Sequence, residues 1–523
     1  MKTIVCAETT MKTPRLNGTT SSKARRHREN DTAHVSAPSI SPEFGPRYQL
    51  ADLFCGCGGL SLGFALTGRF DTIFGCEIKP EAVETFWRNH EGEHGRPIVH
   101  DGDIRKMGDA DLWLALRSFG VSAPGKLACL VGGPPCEGFS QNRSVGAGGR
   151  PGGASRIDKF IDDPRNWLFK WFVKTAAEVR PAVVLIENVP DLVRHRDGAT
   201  RDEVLDALAK AGYRTSVRVL HAADYGVPQM RRRAFFLGQR QEDYDRTGIT
   251  LEFPTPTHRA YPLCHDSLND DPNWLPGDSG YWPTVREAIG DLPVGFENDD
   301  FDHSLVRYPE ARLTGLRRFL RTSDGSVPYN HLARPLGKSG LSKVRALKSG
   351  ERFADLPDEL RPRSGYHYSY SRLQWAEPAR TITKFAYHVG SGMFAHPIED
   401  RAITMREAAR LQTFPDSFRF HSDNIRELSA MVGSAVPPLL ALRIGQQIVH
   451  YLDQLTYATL SPARRATVRS QATDAVMRRL ERAHWSSEQM ALSEHEPLLW
   501  EDYTTEQKRA DGLPTVSTPF RKV

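Results

Sequence analysis

At 523 residues the chain is too long for one ordinary domain and long enough for a large core, a second module and unstructured ends. A net charge of +5 is small for that length, which excludes a uniformly basic surface and leaves any affinity for a polyanion to a local face. Seven cysteines without the spacing of a secreted scaffold exclude a disulfide framework; with no apolar run of bilayer length and no signal-type stretch, a cytoplasmic protein with no membrane is expected.

Residues 1–43 lack aromatic residues and are rich in Ser, Thr, Lys and Arg, so a disordered basic arm is expected over 1–47. It is either a solvated tail or a contact for phosphates. From Tyr48, short apolar runs (YQLADLF, TIFGCEI, PIVHDGDI, LACLVGG, AVVLIENV, TSVRVL, RRAFFLG) alternate with amphipathic stretches such as PEAVETFWRN and RDEVLDALAKAGY. That rhythm predicts an α/β domain over 48–250, doubly wound around a mostly parallel, Rossmann-like sheet. Ligands of such sheets lie beyond the C-terminal ends of the strands, where the Gly, Cys, Pro and Glu residues fall here. Residues 251–372 are irregular and imply a smaller second lobe. Strand and helix character returns over 373–455, where VGSAVPPLLALRIGQQIVHYL reads as a turn into an apolar helix that packs back on the first domain. A charged extension, 456–523, follows.

The stretch Asp52–Phe64, DLFCGCGGLSLGF, joins the first strand to a helix, and Gly56, Gly58, Gly59 and Gly63 permit a tight turn and close ligand approach. Glu77 ends the second strand, where a carboxylate accepts both hydroxyls of a ribose or caps the next helix. Asp103 and Ile104 follow the third strand, at an adenine edge or in a plain turn. Phe54 either stacks on an adenosyl group or packs in the core. Together these positions describe an adenosyl pocket.

After the fourth strand, VGGPPCEGFSQNR holds Cys136 behind two prolines among Gly and polar residues, the setting of a reactive thiol. Cys76 and Cys129, in apolar runs, read as inert. Glu187 and Asn188 end the fifth strand, on the neighbouring edge. In QMRRR, alternation turns Arg231 and Arg233 to one face and Arg232 to the other.

In order along the chain stand FxGxGGxS at Phe54–Ser61, PPCxxFS at Pro134–Ser140, ENV at Glu187–Val189, QxRxR at Gln229–Arg233, REAARLQTFPDSF at Arg406–Phe418 and GxxVPP at Gly433–Pro438. In these motifs the chain resembles the bacterial C5 DNA cytosine methyltransferases of restriction–modification systems. The resemblance implies S-adenosylmethionine as methyl donor and no metal. It implies cofactor contacts from Phe54, Gly56, Gly58, Gly59, Glu77, Asp103, Ile104 and Pro135. It also implies a Cys136 thiolate that adds to C6 of a flipped-out cytosine, Glu187 at N3, Arg233 near the cysteine and the base, and Asn188 and Arg231 orienting them. Double-stranded DNA is then the substrate, 251–372 the target-recognition region, a cognate restriction endonuclease a possible partner, and the enzyme a monomer.

The Gly-rich stretch Ser144–Ser155 is either a closing lid or a surface linker. Two positions depart from the family pattern: Glu137 replaces the usual Gln after the nucleophile and disfavours its thiolate, and Ser434 replaces the usual Asn. Three rivals are weighed. One is a catalytically inactive DNA-binding protein on the same scaffold, opposed by the intact Cys136, Glu187 and Arg233. A nicotinamide enzyme gives the Pro-Pro-Cys loop no role, and a tRNA cytosine methyltransferase typically has a Cys-Phe-Thr signature absent here.

Overall fold

In the computed structural model of the chain, the described residues are 46–135 except His94, 167–261, 276–293, 308, 312–322, 329–362, 367–461 and 463. Cys136, Glu137, the stretch Ser144–Ser155, nearly all of the N-terminal arm and nearly all of the C-terminal extension lie outside them. Residues up to Ala458 form one compact unit and residues 459–523 a second.

Seven strands make the main sheet: β1 (Tyr48–Leu53), β2 (Phe70–Glu77), β3 (Ile98–Asp101), β4 (Cys129–Gly132), β5 (Val183–Asn188), β6 (Tyr213–His221) and β8 (Arg232–Arg240), with β7 (Gln229–Met230) outside it. Their order is β3-β2-β1-β4-β5-β8-β6. Neighbours from β3 to β5 are parallel, while β8 runs antiparallel to both β5 and β6. The reversal was not readable from RRAFFLG, because a central strand buried on both faces is apolar whichever way it runs. Its cause is the connection over residues 222–231, too short for the crossover that a parallel partner of β6 requires.

Successive residues of each central strand enter different cores. Leu50, Val131, Val183 and Leu185 pack on one face, with Phe64 and the residues Leu440, Ile444 and Ile448. Ala51, Leu53, Leu130, Val184 and Ile186 pack on the other, with Leu116, Phe172 and Leu208 from the helices Asp109–Ser118, Phe169–Val179 and Ala199–Lys210. This is the period-two alternation of a sheet covered on both sides.

The apolar residues 440–448 belong to the 22-residue helix Pro438–Thr459, which has Leu440, Ile444, Ile448, Tyr451 and Leu455 in the first core. One expectation is corrected here. The stretch Ile425–Thr459 is apolar and long enough to cross a membrane by composition alone, but 78% of its apolar window is buried within the fold, as in the core helix of a globular protein.

Among the described residues, the region between residues 276 and 434 has only short elements: helices Val285–Ile289, Gly315–Leu320, Lys338–Arg345, Met405–Leu411 and Ile425–Ser434, and the two-residue strand β9 (Ala379–Arg380), parallel to β7. Its main core joins Val285, Ile289 and Leu320 to Ile382, Leu411, Phe414 and Val432, and takes in Cys57 and Ala82 from the sheet domain. Residues 285–289 and 316–320 thus share one core with residues between 373 and 432.

Candidate active site

Strand order places β4 between β1 and β5, so the loops after all three open at one edge of the sheet. After β1 the backbone turns left-handed at Phe54 (φ 60°), Gly56 (55°) and Gly58 (94°). A non-glycine residue held there costs on the order of 1–3 kcal/mol and is found chiefly where a site requires the geometry. A Cβ on Gly56 would meet nothing within 4 Å, so this glycine borders open space. The other glycines serve packing: a Cβ on Gly58 would lie 2.1 Å from His90 Cε1, on Gly59 2.4 Å from the Val436 carbonyl, and on Gly63 2.3 Å from Ala441 Cβ.

Glu77 is fastened to this loop. Its carboxylate accepts from the backbone N–H of Gly56 (3.0 Å), Ile78 (2.9 Å) and Lys79 (3.0 Å), which holds it at the start of the helix Pro80–Asn89. Asp103 caps the 3-10 turn Ile104–Lys106, accepts from Arg105 N at 3.0 Å and pairs with its guanidinium at 2.6 Å. The Arg105 hydrogen bond holds the Asp103 carboxyl below its ordinary range. The Ile104 side chain is buried in the second core.

Asp52, at the root of the loop, had no role assigned from the sequence. It is 1% exposed, and one carboxyl oxygen accepts from Ser61 Oγ at 2.5 Å. The other, Oδ1, has no hydrogen-bond partner, and burial pushes the carboxyl up to about 7. An acidic residue near the end of an otherwise apolar strand, nine residues before a serine, was the available signal. Cys55, Cys57, Cys76 and Cys129 are buried, and burial pushes their thiols up, Cys57 to about 12, so they are inert at neutral pH.

On the far side of β4, Asn188 holds the backbone at Pro134. It donates from Nδ2 to the Pro134 carbonyl (3.2 Å), and its Oδ1 accepts from Val189 N (2.8 Å). Pro135 is partly exposed at the last described position before the cysteine. Arg233 Nε lies 2.9 Å from Glu187 Oε1, with the two side chains 16% and 12% exposed. A Cβ on Gly133 would lie 3.1 Å from Glu187 Oε2, so the glycine leaves room for this carboxyl. Burial raises the Glu187 carboxyl above its ordinary range, against the opposing pull of Arg233 and Arg231.

Arg231 is fully buried and Arg232 exposed. Arg231 donates to the carbonyls of Ile382, Gly433 and Ala435, each at 3.0 Å, and forms no hydrogen bond to Glu187. Gln229, two residues earlier, accepts from Ile382 N (2.9 Å) and donates to the Leu411 carbonyl and Gln412 Oε1, both at 3.0 Å. A polar residue repeating at the arginines' spacing marked Gln229 in the sequence, but its partners lie more than 150 residues away. Together the two side chains clasp the β7–β8 stretch to the Gly433 turn and the segment around Ile382. Ser434 is exposed at the end of the helix Ile425–Ser434.

A family model of the C-5 cytosine-specific DNA methylases matches residues 48–450, the span that holds every element of this site. The chain belongs to that family. It is therefore a DNA (cytosine-5-)-methyltransferase, as the motifs implied, and its sheet is the Rossmann-like methyltransferase fold. This methyltransferase is 32% identical over 398 residues to Type II methyltransferase M1.HphI of Haemophilus parahaemolyticus, covering 76% of this chain and 86% of that one. It is 30% identical over 453 residues to Type II methyltransferase M.AgeI of Thalassovita gelatinovora, covering 76% and 98%. The crystal structure of a prophage-encoded methyltransferase (E. coli) matches with TM-score 0.54 at 24% identity, covering 78% of this chain and 99% of that one, a likeness of fold.

Proposed function

We propose that the enzyme methylates C5 of a flipped-out cytosine in a specific duplex sequence, with S-adenosylmethionine as donor, and that it protects DNA in a restriction–modification system. The observation that carries this reading is the Glu187–Arg233 pair, at the edge of the sheet beside the Pro134–Pro135 approach to Cys136. The type II relatives motivate the protective role and a cognate endonuclease.

S-adenosylmethionine supplies an electrophilic methyl group when bound. The residues at the first loop fit it: Gly56 borders open space, Glu77 is pre-oriented for a ribose, and the unpartnered Asp52 Oδ1 suits a cationic or donor-bearing ligand. The backbone of Gly58, Gly59 and Ile104, with Phe54, Asp103 and Pro135, completes the proposed pocket.

The chain's own part is to make C5 nucleophilic. The Cys136 thiolate adds to C6 of the base, and negative charge moves into the ring toward N3 and O2. A Glu187 carboxyl raised by burial retains a proton more readily and donates it toward N3, while Arg233 supplies fixed positive charge. Asn188 and Arg231 keep this machinery in place through backbone carbonyls. Once C5 carries the methyl group, loss of the C5 proton to a base, return of the N3 proton to Glu187 and elimination of the thiolate restore the aromatic ring. The region 251–372, with adjoining residues, reads the target sequence.

The test is bisulfite sequencing of DNA from cells expressing the wild-type chain or Cys136→Ser. New methylcytosine with the wild type alone is expected; none under good expression of the wild type refutes the reading. On 5-fluorocytosine DNA the wild type forms a covalent adduct, and an adduct with Cys136→Ser would overturn the nucleophile assignment.

A further inference from the structure

Away from the Glu187–Arg233 pair, two arginines share one aromatic ring. The guanidinium carbons of Arg352 and Arg380 lie 5.7 and 5.0 Å from the centroid of Tyr368, and His367 packs edge-on against the same ring at 4.7 Å. All three ring-facing residues Arg352, Tyr368 and Arg380 are half-buried. Neither guanidinium pairs with a carboxylate of the described residues. The nearby Asp355 accepts from the backbone N–H of Arg352, and the Arg380 side chain donates to the Met230 thioether at 3.8 Å. Two cations beside one ring repel each other, and at such exposure a cation–π contact offsets this only weakly. The arrangement gains most when an anion joins it.

Its location indicates which anion. β9 pairs in parallel with β7, which sets Arg380 opposite Met230. Thr381 Oγ1 donates to the Met230 carbonyl at 2.9 Å, and Arg231 grips the Ile382 carbonyl at 3.0 Å. Arg380 is thus paired with Met230, three residues along the chain before Arg233, the partner of Glu187. Its planar fork of donors matches a phosphate, and stacking on Tyr368 limits the entropy lost on binding one.

We propose that Arg380, with Arg352 beside the same Tyr368 ring, binds a backbone phosphate of the DNA duplex close to the target cytosine and so sets the register of the duplex at the active site. This rests on the DNA-methylating reading above. It adds a DNA-positioning residue outside the 251–372 region to which the sequence confined recognition.

The test uses the full-length protein and a fluorescent random-sequence duplex, with Kd read by anisotropy at KCl from roughly 50 to 200 mM. Arg380→Gln is expected to raise Kd roughly tenfold at the higher salt and to reduce the slope of log Kd against log [KCl] by about 0.9, the value of one phosphate contact. Arg380→Lys, which keeps the charge, recovers most of the slope. Arg117→Gln, on the helix Asp109–Ser118, leaves it unchanged. A wild-type slope in Arg380→Gln, or no recovery in Arg380→Lys, overturns the proposal and leaves Arg380 a packing role. Tritium transfer from labelled S-adenosylmethionine to genomic DNA is measured in parallel, where Arg380→Gln raises KM for DNA more than it lowers kcat. A slope change in a wild type and variant that both fail to transfer tritium would uphold the phosphate contact while refuting the enzymatic reading.

Discussion

The sheet domain and the region between residues 276 and 434 are both well buried, but they are held together differently. In the sheet, apolar side chains fill two cores and the backbone satisfies itself through the strand ladders. The second region has little ladder to offer, and arginines take that role. Arg372 donates to the carbonyls of Val344, Leu347, His396 and Glu399. Arg406 donates to those of Tyr329, Pro415 and Phe418, and Arg317 to those of Arg286, Glu287 and Arg312. Irregular backbone leaves buried carbonyls without partners, and a guanidinium with five donors in one plane can satisfy several of them at once.

The charge of these arginines is balanced inside the region. Arg410 is fully buried, donates to the Ala288 carbonyl, and lies 2.5 Å from Asp291 and in contact with Asp416. Burial disfavours its charge, but the two carboxylates more than compensate and raise its guanidinium. Burial likewise works against the Glu407 carboxylate, yet Arg401 at 2.7 Å holds it down to about 2. The difference between the regions is that one can lose a methyl group and repack, while the other depends on specific polar geometry.

Four substitutions and one surface control probe this contrast, from the largest expected effect to the smallest. The Glu187–Arg233 pair, proposed to be catalytic, sits at the sheet edge, so Glu187→Gln should lower kcat about 100- to 10,000-fold while the melting temperature stays near wild type. Unfolding of that variant under assay conditions would show that the pair is structural. Arg410→Met should destabilise by about 3–5 kcal/mol in urea titrations, because it strands two buried carboxylates; a loss below about 1 kcal/mol would mean water reaches them.

Arg406→Lys keeps the charge but cannot reach three carbonyls, and about 1–3 kcal/mol should be lost, against under about 0.5 kcal/mol for Arg214→Lys on the exposed surface of β6. Equal costs would remove the distinction between the regions. The smallest effect concerns Asp52. With its carboxyl at about 7 in the fold against an ordinary 3.8, the folded protein holds a proton that the unfolded chain releases, so stability falls as pH rises through that window. Asp52→Asn should flatten this decline, read as melting temperature from about pH 4 to 7; a slope equal to wild type would mean Asp52 is charged in the fold.

The same contrast explains what could be read in advance. The strands of the sheet domain, Glu77 at the end of β2, Glu187 at the end of β5 and the apolar helix Pro438–Thr459 were all legible, because period-two and helical patterns are local properties of the chain. The motif REAARLQTFPDSF was legible as a family mark, yet nothing in it disclosed that Arg406 binds carbonyls while Arg410 balances Asp291 and Asp416. Gly59 and Gly63 belong to a loop of ligand-binding type, but their lack of a Cβ serves packing against Val436 and Ala441. Arg231 and Arg233 look alike in QMRRR, and only one of them meets a carboxylate.

By itself, then, the sequence determined the family, the α/β class, the identity of the groups offered for chemistry and the strand ends on which they sit. Tertiary structure alone decided the antiparallel course of β8, the division of labour between Arg231 and Arg233, the orphaned Asp52 oxygen and the sharing of Tyr368 by two arginines. The physical reason is range. Periodicity and turn chemistry act over a few residues, whereas a buried charge or an unpaired donor is defined by partners brought from 20 to 200 residues away.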